Sequence, residues 1–135
     1  VKDRFVLGHS DYHYRHEPIF YGWIPGGGHY WCGARNLDTI LDFARPSRNA
    51  DHPTMKPVAL MERAITNSSK VGDIVLDPFG GSGTTLMAAE RTKRRCRMIE
   101  LDPKYIDTII RRFQAHTKTK AIHAVTQKTF DELCT

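Results

Sequence analysis

The stretch LDPFGGSGTTLMAAE, residues 76–90, decides the fold because it joins a strand end, a glycine-rich turn and a helix start. Asp77 ends the expected strand, and Gly80, Gly81 and Gly83 form the turn. Glycines lack a Cβ atom, so a ligand can lie against the backbone, and the following helix presents free N–H groups at its start. The pattern therefore predicts a ligand-binding turn at the carboxyl end of a strand.

Helices and strands are expected to alternate on both sides of this turn. The expected helices begin at Pro57, at Thr84 and near Tyr105, and the expected strands are DIVLD (73–77), CRMIE (96–100) and AIHAV (121–125). This alternation predicts an α/β fold with a partial parallel sheet flanked by helices. Further upstream, FVLG (5–8) and PIFYGW (18–23) are expected to form short strands, and residues 44–55 form a connector.

Two groups of basic residues are expected to face the solvent. Arg91, Lys93, Arg94 and Arg95 lie in the turn before the second strand, and Arg111 and Arg112 lie on the outer face of the third helix. The net charge is +5 and the sequence pI is about 9.3. Such a charge is compatible with a polyanionic partner, although many proteins without one share it.

The acids near the turn restrict what the turn can bind. No Gly-Lys-Ser/Thr follows, which excludes a P-loop, and Leu86 replaces the third glycine of a dinucleotide fingerprint. Glu100 ends the next strand at about the spacing where an acid meets ribose hydroxyls. Asp77 suits a cationic ammonium group rather than a pyrophosphate. A ligand with an amino group and a ribose, such as S-adenosylmethionine, fits this pattern; alternatively, the turn merely reverses the chain.

Two longer segments carry a family resemblance. The first is DHPTMKPVALMERAI (51–65), and the second is GDIVLDPFGGSGTTLMAAERTKRRCRMIELDPKYIDTIIRRFQ (72–114). Together they resemble the permuted, beta-type, amino-methylating DNA methyltransferases, in which the motif on the methionine side precedes the glycine motif. HEPIFYGW (16–23) and RPSRN (45–49) are similar to the preceding segments of that family. The resemblance implies a Rossmann-like methyltransferase fold that uses S-adenosylmethionine as cofactor.

The resemblance also implies which residues contact the cofactor. Those expected at its methionine side are Asp77, Phe79, Gly81, Gly83 and Thr84, and those expected to close over its amino-acid end are His52, Thr54 and Lys56. Glu100 would bind the ribose hydroxyls. Asp102 would approach the adenine, although its position before Pro103 favours a helix N-cap instead. Lys56 is either a cation for the cofactor carboxylate or a solvated lysine.

The resemblance leaves one motif of the family without a counterpart. These enzymes transfer the methyl group at an Asp/Asn/Ser-Pro-Pro-aromatic motif, whose aromatic ring stacks on the flipped base. No Pro-Pro pair occurs in the 135 residues, and the sequence Asp102-Pro103-Lys104-Tyr105 imitates the motif at the wrong place. No catalytic residue is therefore expected here. The chain is interpreted as the C-terminal part of a methyltransferase, or a truncated relative, whose partner would be the missing N-terminal part.

The implied function is DNA methylation at an exocyclic amine, adenine N6 more than cytosine N4, as in restriction-modification. Arg35, Arg45 and Arg48 are the expected DNA contacts. One domain, 1–135, is expected, with a sheet, hairpin and DNA-facing loop in 1–50 and the cofactor-binding part in 51–135. No apolar run approaches the roughly 20 residues of a membrane span, and a cytoplasmic location is expected.

Two alternative functions remain. The chain could be a non-catalytic remnant that binds cofactor or DNA. It could also be a small zinc-stabilised nucleic-acid binder, since His13, His16, His29 and Cys32 have a spacing that superficially resembles a zinc site. Strand alternation would place His13 and His16 on opposite faces, so no metal ligand is predicted.

Overall fold

A two-stranded parallel sheet lies at the centre of the computed structural model, which describes residues 11–43 and 55–134. Strand β1 is Ile74–Asp77 and strand β2 is Arg95–Met98, and helix α2, Thr84–Arg91, connects them. In the register of the sheet, Ile74 pairs with Arg95 and Asp77 with Met98. The glycine turn, residues 78–83, lies between β1 and α2, at the carboxyl end of the sheet.

The other helices are α1, Val58–Ser68, α3, Pro103–Thr117, and the short α4, Phe130–Leu133. The core lies between α1, α2 and one face of the sheet. Its buried members are Ile65, Ala88 and Ala89, and the side chains packed against them are Val58, Met61, Val75 and Cys96. The small residues of α2 let α1 and the sheet approach it closely, which positions the glycine turn beside the start of α1.

The sequence predicted these central elements correctly. The helix beginning after Pro57, the two strands around the glycine turn, the helix starting at Thr84 and the third helix are all present, and the two strands are parallel. The prediction of an α/β fold with a partial parallel sheet is confirmed. None of the helices within residues 11–43 and 55–134 is long and apolar enough to cross a membrane.

Two strand predictions are wrong, and one lies outside the described residues. Residues 18–23 form no strand in the structure. The segment 121–125 contributes only an isolated antiparallel bridge between Ile122 and Thr129, and a turn separates these two residues. Thr129 then begins α4 with a capping box, in which its hydroxyl and the Glu132 carboxylate satisfy each other's backbone N–H groups. The segment 5–8 is not described.

The prediction that Arg94 is solvated is also wrong. Its guanidinium donates to the Ser69 carbonyl oxygen at 2.6 Å and to the Thr92 carbonyl oxygen at 2.5 Å. Both carbonyls follow helix ends, where backbone acceptors lack intrahelical donors. Arg94 therefore joins the end of α1 to the end of α2.

The second face of the sheet is open in the described part of the chain. Ile74 and Leu76 point to this face and are 57% and 67% exposed, whereas Val75 on the opposite face packs into the core. Parallel sheets are normally covered on both faces. The exposed isoleucine and leucine therefore mark a surface that suits additional protein.

Candidate cofactor-binding site

The glycine turn depends on two residues in the left-handed region of backbone space. Gly81 has φ +54° and Gly83 has φ +79°, a conformation that costs an L-residue with a side chain roughly 1–2 kcal/mol. The Gly83 N–H donates to the Gly80 carbonyl oxygen at 2.8 Å, which closes the turn. The backbone consequently changes direction within a few residues, from the end of β1 to the start of α2.

The three glycines of the turn differ in what surrounds them. A Cβ atom at Gly80 would lie 2.6 Å from Met98 Sδ, and one at Gly83 would lie 3.1 Å from Ile109. These two glycines are thus required by packing against β2 and α3. A Cβ atom at Gly81 would meet only the Phe79 carbonyl oxygen, at 3.9 Å. Gly81 therefore borders open space from which a ligand can approach the backbone.

Glu100 lies directly beside the glycine turn. Its Oε2 accepts a hydrogen bond from the Gly81 N–H at 2.6 Å, and its Oε1 accepts one from the Asp102 N–H at 2.9 Å. The backbone pairing that continues past the strands brings the two segments together, because the Gly80 N–H donates to the Ile99 carbonyl oxygen at 2.9 Å. The acid expected near a ribose is therefore next to the turn expected to bind the cofactor.

Asp77 orders the first residues of the turn. Its Oδ1 accepts a hydrogen bond from the Phe79 N–H at 2.9 Å, and its backbone carbonyl oxygen accepts one from the Ile99 N–H at 3.0 Å. The Phe79 ring is 87% exposed at the carboxyl end of the sheet. Asp77 thus orders the backbone at Phe79, whose apolar ring is exposed at the end of β1.

The segment before α1 reaches the start of α2. The Thr84 hydroxyl donates to the Lys56 carbonyl oxygen at 3.4 Å, so the residue expected at the amino-acid end of the cofactor lies near the glycine turn. The Lys56 ammonium forms an ion pair with Glu17. Both side chains are about half exposed, so this pair leaves Lys56 accessible from solvent.

The remaining predicted residues are Asp102, Arg35 and four that the structure does not describe. Asp102 caps α3, since its Oδ1 accepts from the Lys104 N–H at 2.9 Å, which confirms the N-cap prediction. Arg35 is exposed and lies in a turn that belongs to no helix or strand. His52, Thr54, Arg45 and Arg48 lie outside the described residues.

Arg112 is a residue of the site that the sequence analysis assigned wrongly to the solvent face of α3. Its Nη1 donates to the carbonyl oxygen of Ser82 in the glycine turn. Arg112 follows the buried Ile109 by three positions, and residues three apart share one face of a helix. That spacing was the signal that could have placed Arg112 on the inner side.

Two residues of the histidine and cysteine pattern, His29 and Cys32, contact other parts of the chain. The Tyr21 hydroxyl and His29 Nε2 are 2.7 Å apart, and the His29 ring stacks on Trp23 with the ring centroids 4.0 Å apart. The Cys32 thiol donates to the Thr66 carbonyl oxygen at 2.6 Å. Within residues 11–43 and 55–134, no three His, Cys, Asp or Glu side chains are grouped to hold a metal ion. The geometry gives the zinc hypothesis no support.

Comparison with known proteins identifies the family. The family model described as DNA methylase, for N6 and N4 methyltransferases, matches residues 12–111. The chain belongs to this DNA methylase family. The match includes β1, the glycine turn, β2 and most of α3, which are the elements that form the candidate site.

Two curated relatives extend this result. The chain is 46% identical over 68 residues to the type II methyltransferase M2.DpnII of Streptococcus pneumoniae, covering 50% of this chain and 25% of the relative. It is 50% identical over 77 residues to the DNA adenine methyltransferase YhdJ of Escherichia coli K12, covering 54% of this chain and 26% of the relative. The matched region thus spans about a quarter of the length of these relatives.

Solved structures agree on the fold. A complex of M1.HpyAVI with SAM has a TM-score of 0.57 and 36% identity, with 64% of this chain and 44% of that chain covered. The cytosine-N4-specific PvuII DNA methyltransferase has a TM-score of 0.53 and 29% identity, with 59% and 33% covered. The fold is therefore that of the Rossmann-like methyltransferases.

Proposed function

We propose that this chain binds S-adenosylmethionine and forms the cofactor-binding part of a DNA methyltransferase that acts on exocyclic amino groups. The observation that carries the proposal is the contact between Gly81 and Glu100, because it brings a turn open to a ligand and an acid suited to ribose to one edge of the sheet. The similarity to M1.HpyAVI, whose structure is a complex with SAM, supports this cofactor.

The residues around the turn fit the parts of this cofactor. Glu100 accepts hydrogen bonds from the ribose hydroxyls, and Asp77 attracts the ammonium group of the methionine part. Phe79, Gly81, Gly83 and Thr84 line the methionine side. His52, Thr54 and Lys56 close over the amino-acid end, and Asp102 lies towards the adenine. The turn lacks the Gly-Lys-Ser/Thr sequence with which a P-loop binds phosphate, and S-adenosylmethionine has no phosphate group.

Bound S-adenosylmethionine would supply a methyl group on its sulfonium sulfur for transfer to the substrate amine, and S-adenosylhomocysteine would be the leaving group. The described residues bind and orient the cofactor, while the amine needs acceptors for its hydrogens and an aromatic wall for the flipped base. No Asp/Asn/Ser-Pro-Pro-aromatic sequence occurs among the 135 residues. We therefore infer that the catalytic motif comes from polypeptide beyond these residues, and that the chain alone transfers no methyl group.

The sheet face that residues 11–43 and 55–134 leave open supports this inference. Ile74 and Leu76 are more than half exposed on a parallel sheet, a kind of sheet that normally has protein on both faces. The N-terminal part of the same enzyme is the proposed partner of this surface, and it would bring the catalytic motif towards the carboxyl end of β1.

The proposed substrate is DNA, with adenine N6 favoured over cytosine N4. The support is that a relative 50% identical over 77 residues is named as a DNA adenine methyltransferase, whereas the cytosine-N4-specific neighbour is 29% identical over 59% of the chain. Arg35, Arg45 and Arg48 are the proposed phosphate contacts, and the proposed location is the cytoplasm.

One observation favours a second candidate, a cofactor- or DNA-binding protein without activity. This observation is the absence of a Pro-Pro motif from the 135 residues.

Two measurements test the proposal. Calorimetry of the 135-residue chain should detect binding of S-adenosylmethionine and of S-adenosylhomocysteine, with NAD⁺ as the control that does not bind. Tritiated methyl transfer to mixed-sequence DNA should be absent for the chain alone. Transfer should appear when the product of the coding sequence upstream of Val1 is added.

Different outcomes distinguish the candidates. Cofactor binding without any methyl transfer in the combined assay would favour the non-catalytic protein. Transfer by the purified short chain, abolished by Asp102→Ala, would show that Asp102-Pro103-Lys104-Tyr105 serves as the catalytic motif and would contradict the proposal. Absence of cofactor binding would overturn the proposed function and would leave the second candidate only as a DNA-binding protein.

A further inference from the structure

Two charged side chains from different elements hold the glycine turn. Glu100, which follows β2, accepts from the Gly81 N–H at 2.6 Å, and Arg112 of α3 donates from Nη1 to the Ser82 carbonyl oxygen. The Glu100 carboxylate thus binds a backbone N–H group of the turn, and the Arg112 guanidinium binds a backbone carbonyl group one residue further along. Hydrogen bonds to charged groups are shorter and stronger than those between neutral groups.

The Ser82 carbonyl lies between two glycines, which have more conformational freedom than other residues. Gly81 and Gly83 flank Ser82, and both have positive φ values that glycine can leave at little cost. Ser82 itself is only 5% exposed, and a buried carbonyl group needs a donor. Arg112 supplies one, and it thereby fixes the orientation of the peptide group between Ser82 and Gly83.

We propose that Arg112 is a positioning residue for the cofactor, which it does not contact. By holding the Ser82–Gly83 peptide group, it keeps the backbone of Gly81 open towards the methionine part of S-adenosylmethionine. A site that is ordered before binding loses less conformational entropy when the ligand binds. This inference rests on the proposed function, since it assigns a role in the same site.

The neighbouring residue provides a matched control. Arg111 has the same side chain on the same helix, but it pairs with Asp107 at 3.6 Å and lies 5.4 Å from the centre of the Phe130 ring. It is exposed and points away from the turn. Arg111→Met and Arg112→Met therefore remove the same charge from adjacent positions, and only the second removes the contact with Ser82.

Calorimetry with three ligands tests the role of Arg112. In Arg112→Met we expect roughly tenfold weaker binding of both S-adenosylmethionine and S-adenosylhomocysteine, because a hydrogen bond to a charged group is lost. Adenosine, which lacks the methionine part, should lose less than about twofold. Arg111→Met should bind all three ligands as the wild-type chain does. Arg112→Lys should recover part of the loss, because its ammonium can still donate.

A folded Arg112→Met chain with wild-type affinity for S-adenosylmethionine would overturn the proposal. An equal loss for adenosine would also overturn it, since that result indicates general damage to the fold. Circular dichroism establishes that each variant is folded. If Arg112→Met does not fold, Arg112→Gln removes the charge with a smaller loss of polarity, and the same expectations apply.

A second measurement separates this proposal from the proposed function. In the chain without ligand, Arg112→Met should shift the carbonyl ¹³C resonance of Ser82 and accelerate hydrogen exchange of the Gly83 amide, and Arg111→Met should change neither. If the wild-type chain binds no S-adenosylmethionine, the proposed function fails, while these signals still report on the turn. Unchanged Ser82 and Gly83 signals in Arg112→Met would overturn the role of Arg112.

Discussion

Gly81 and Glu100 are 19 residues apart in the sequence, and the Gly81 N–H donates to the Glu100 carboxylate across 2.6 Å. The contact joins the turn after β1 to the segment after β2, because parallel strands end at the same edge of a sheet. In α/β sheets, ligands bind at the carboxyl ends of the strands. This hydrogen bond, together with the backbone pairing of Ile99 with Asp77 and Gly80, therefore holds the two parts of the candidate site side by side.

The first prediction concerns the open side of Gly81. Gly81→Ala should reduce the affinity for S-adenosylmethionine at least tenfold, because the new methyl group would occupy the space that borders the backbone. The matched control is Gly72→Ala. Gly72 also has a positive φ, +86°, and a Cβ atom there would meet nothing within 4 Å.

Both substitutions should cost roughly 1–2 kcal/mol of stability through backbone strain. A difference between their affinities for S-adenosylmethionine would therefore come from contact with the ligand and not from lost stability. Calorimetry at a temperature where both variants are folded gives the two affinities. Equal affinities for Gly81→Ala and Gly72→Ala would show that the cofactor does not approach Gly81.

The second prediction ranks the two acids after β2. Glu100→Gln should weaken S-adenosylmethionine binding by about 1.5–3 kcal/mol, because charge-assisted hydrogen bonds to the ribose and to the Gly81 N–H become neutral ones. Asp102→Asn should leave the affinity within about twofold, because asparagine also caps a helix well. Calorimetry on both variants decides the ranking, and a larger loss for Asp102→Asn would mean that the ribose acid is Asp102.

The sequence predicted the centre of the site because its signals are local. The apolar strand, the three glycines and the helix start are consecutive in residues 74–91, so the turn follows from its own residues. Asp102 before Pro103 similarly predicts the start of α3, which its side chain caps. Local chemistry determines these features regardless of what surrounds them.

The failures involve contacts that local patterns do not specify. Residues 18–23 and 121–125 are apolar enough for strands, but strands need a partner. Residues 18–23 form no strand, and the segment 121–125 contributes only the Ile122–Thr129 bridge. Ile122 and Val125 are exposed. Arg94 and Arg112 reach carbonyl groups of distant segments through long side chains, whose end points depend on the tertiary fold.

The third prediction concerns packing between the turn and α3. Gly83→Ala should destabilise the chain by about 2–4 kcal/mol, since it combines backbone strain with a Cβ atom 3.1 Å from Ile109. Ile109→Ala removes the atoms that clash. The double variant should therefore be more stable than the sum of the single effects predicts, by about 1 kcal/mol.

Urea unfolding measures this double-mutant cycle, and Gly72→Ala combined with Ile109→Ala is the control cycle. The control should be additive because nothing lies near a Cβ atom at Gly72. Additive free energies of unfolding for Gly83→Ala and Ile109→Ala would mean that the helix and the turn are not in contact.

The fourth prediction concerns DNA. Binding should weaken steeply with salt, and replacing Arg35, Arg45 or Arg48 by alanine should each reduce the slope of log affinity against log salt by roughly 1, as expected for a lost phosphate contact. Arg111→Ala is the control, because Arg111 is an exposed arginine of α3 that pairs with Asp107 of the same helix. Fluorescence anisotropy with a duplex at several salt concentrations gives the slopes. A slope that falls only in Arg111→Ala would place the DNA on α3 instead.

The fifth prediction uses Cys96, which lies in β2 and packs against the core. Burial raises the pKa of the Cys96 thiol above its usual value of 9.0, with Asp77 contributing in the same direction. Alkylation requires the thiolate. A raised pKa therefore lowers the reactive fraction of the thiol at any pH below that pKa, and the alkylation rate rises only at higher pH.

Iodoacetamide at pH 8 should modify Cys134, which is exposed, well before Cys96. Peptide mass spectrometry over time measures both rates in one sample. Cys96 modified as fast as Cys134 would mean that β2 does not pack against α1 and α2, and the edge that positions Glu100 beside Gly81 would then lack its support.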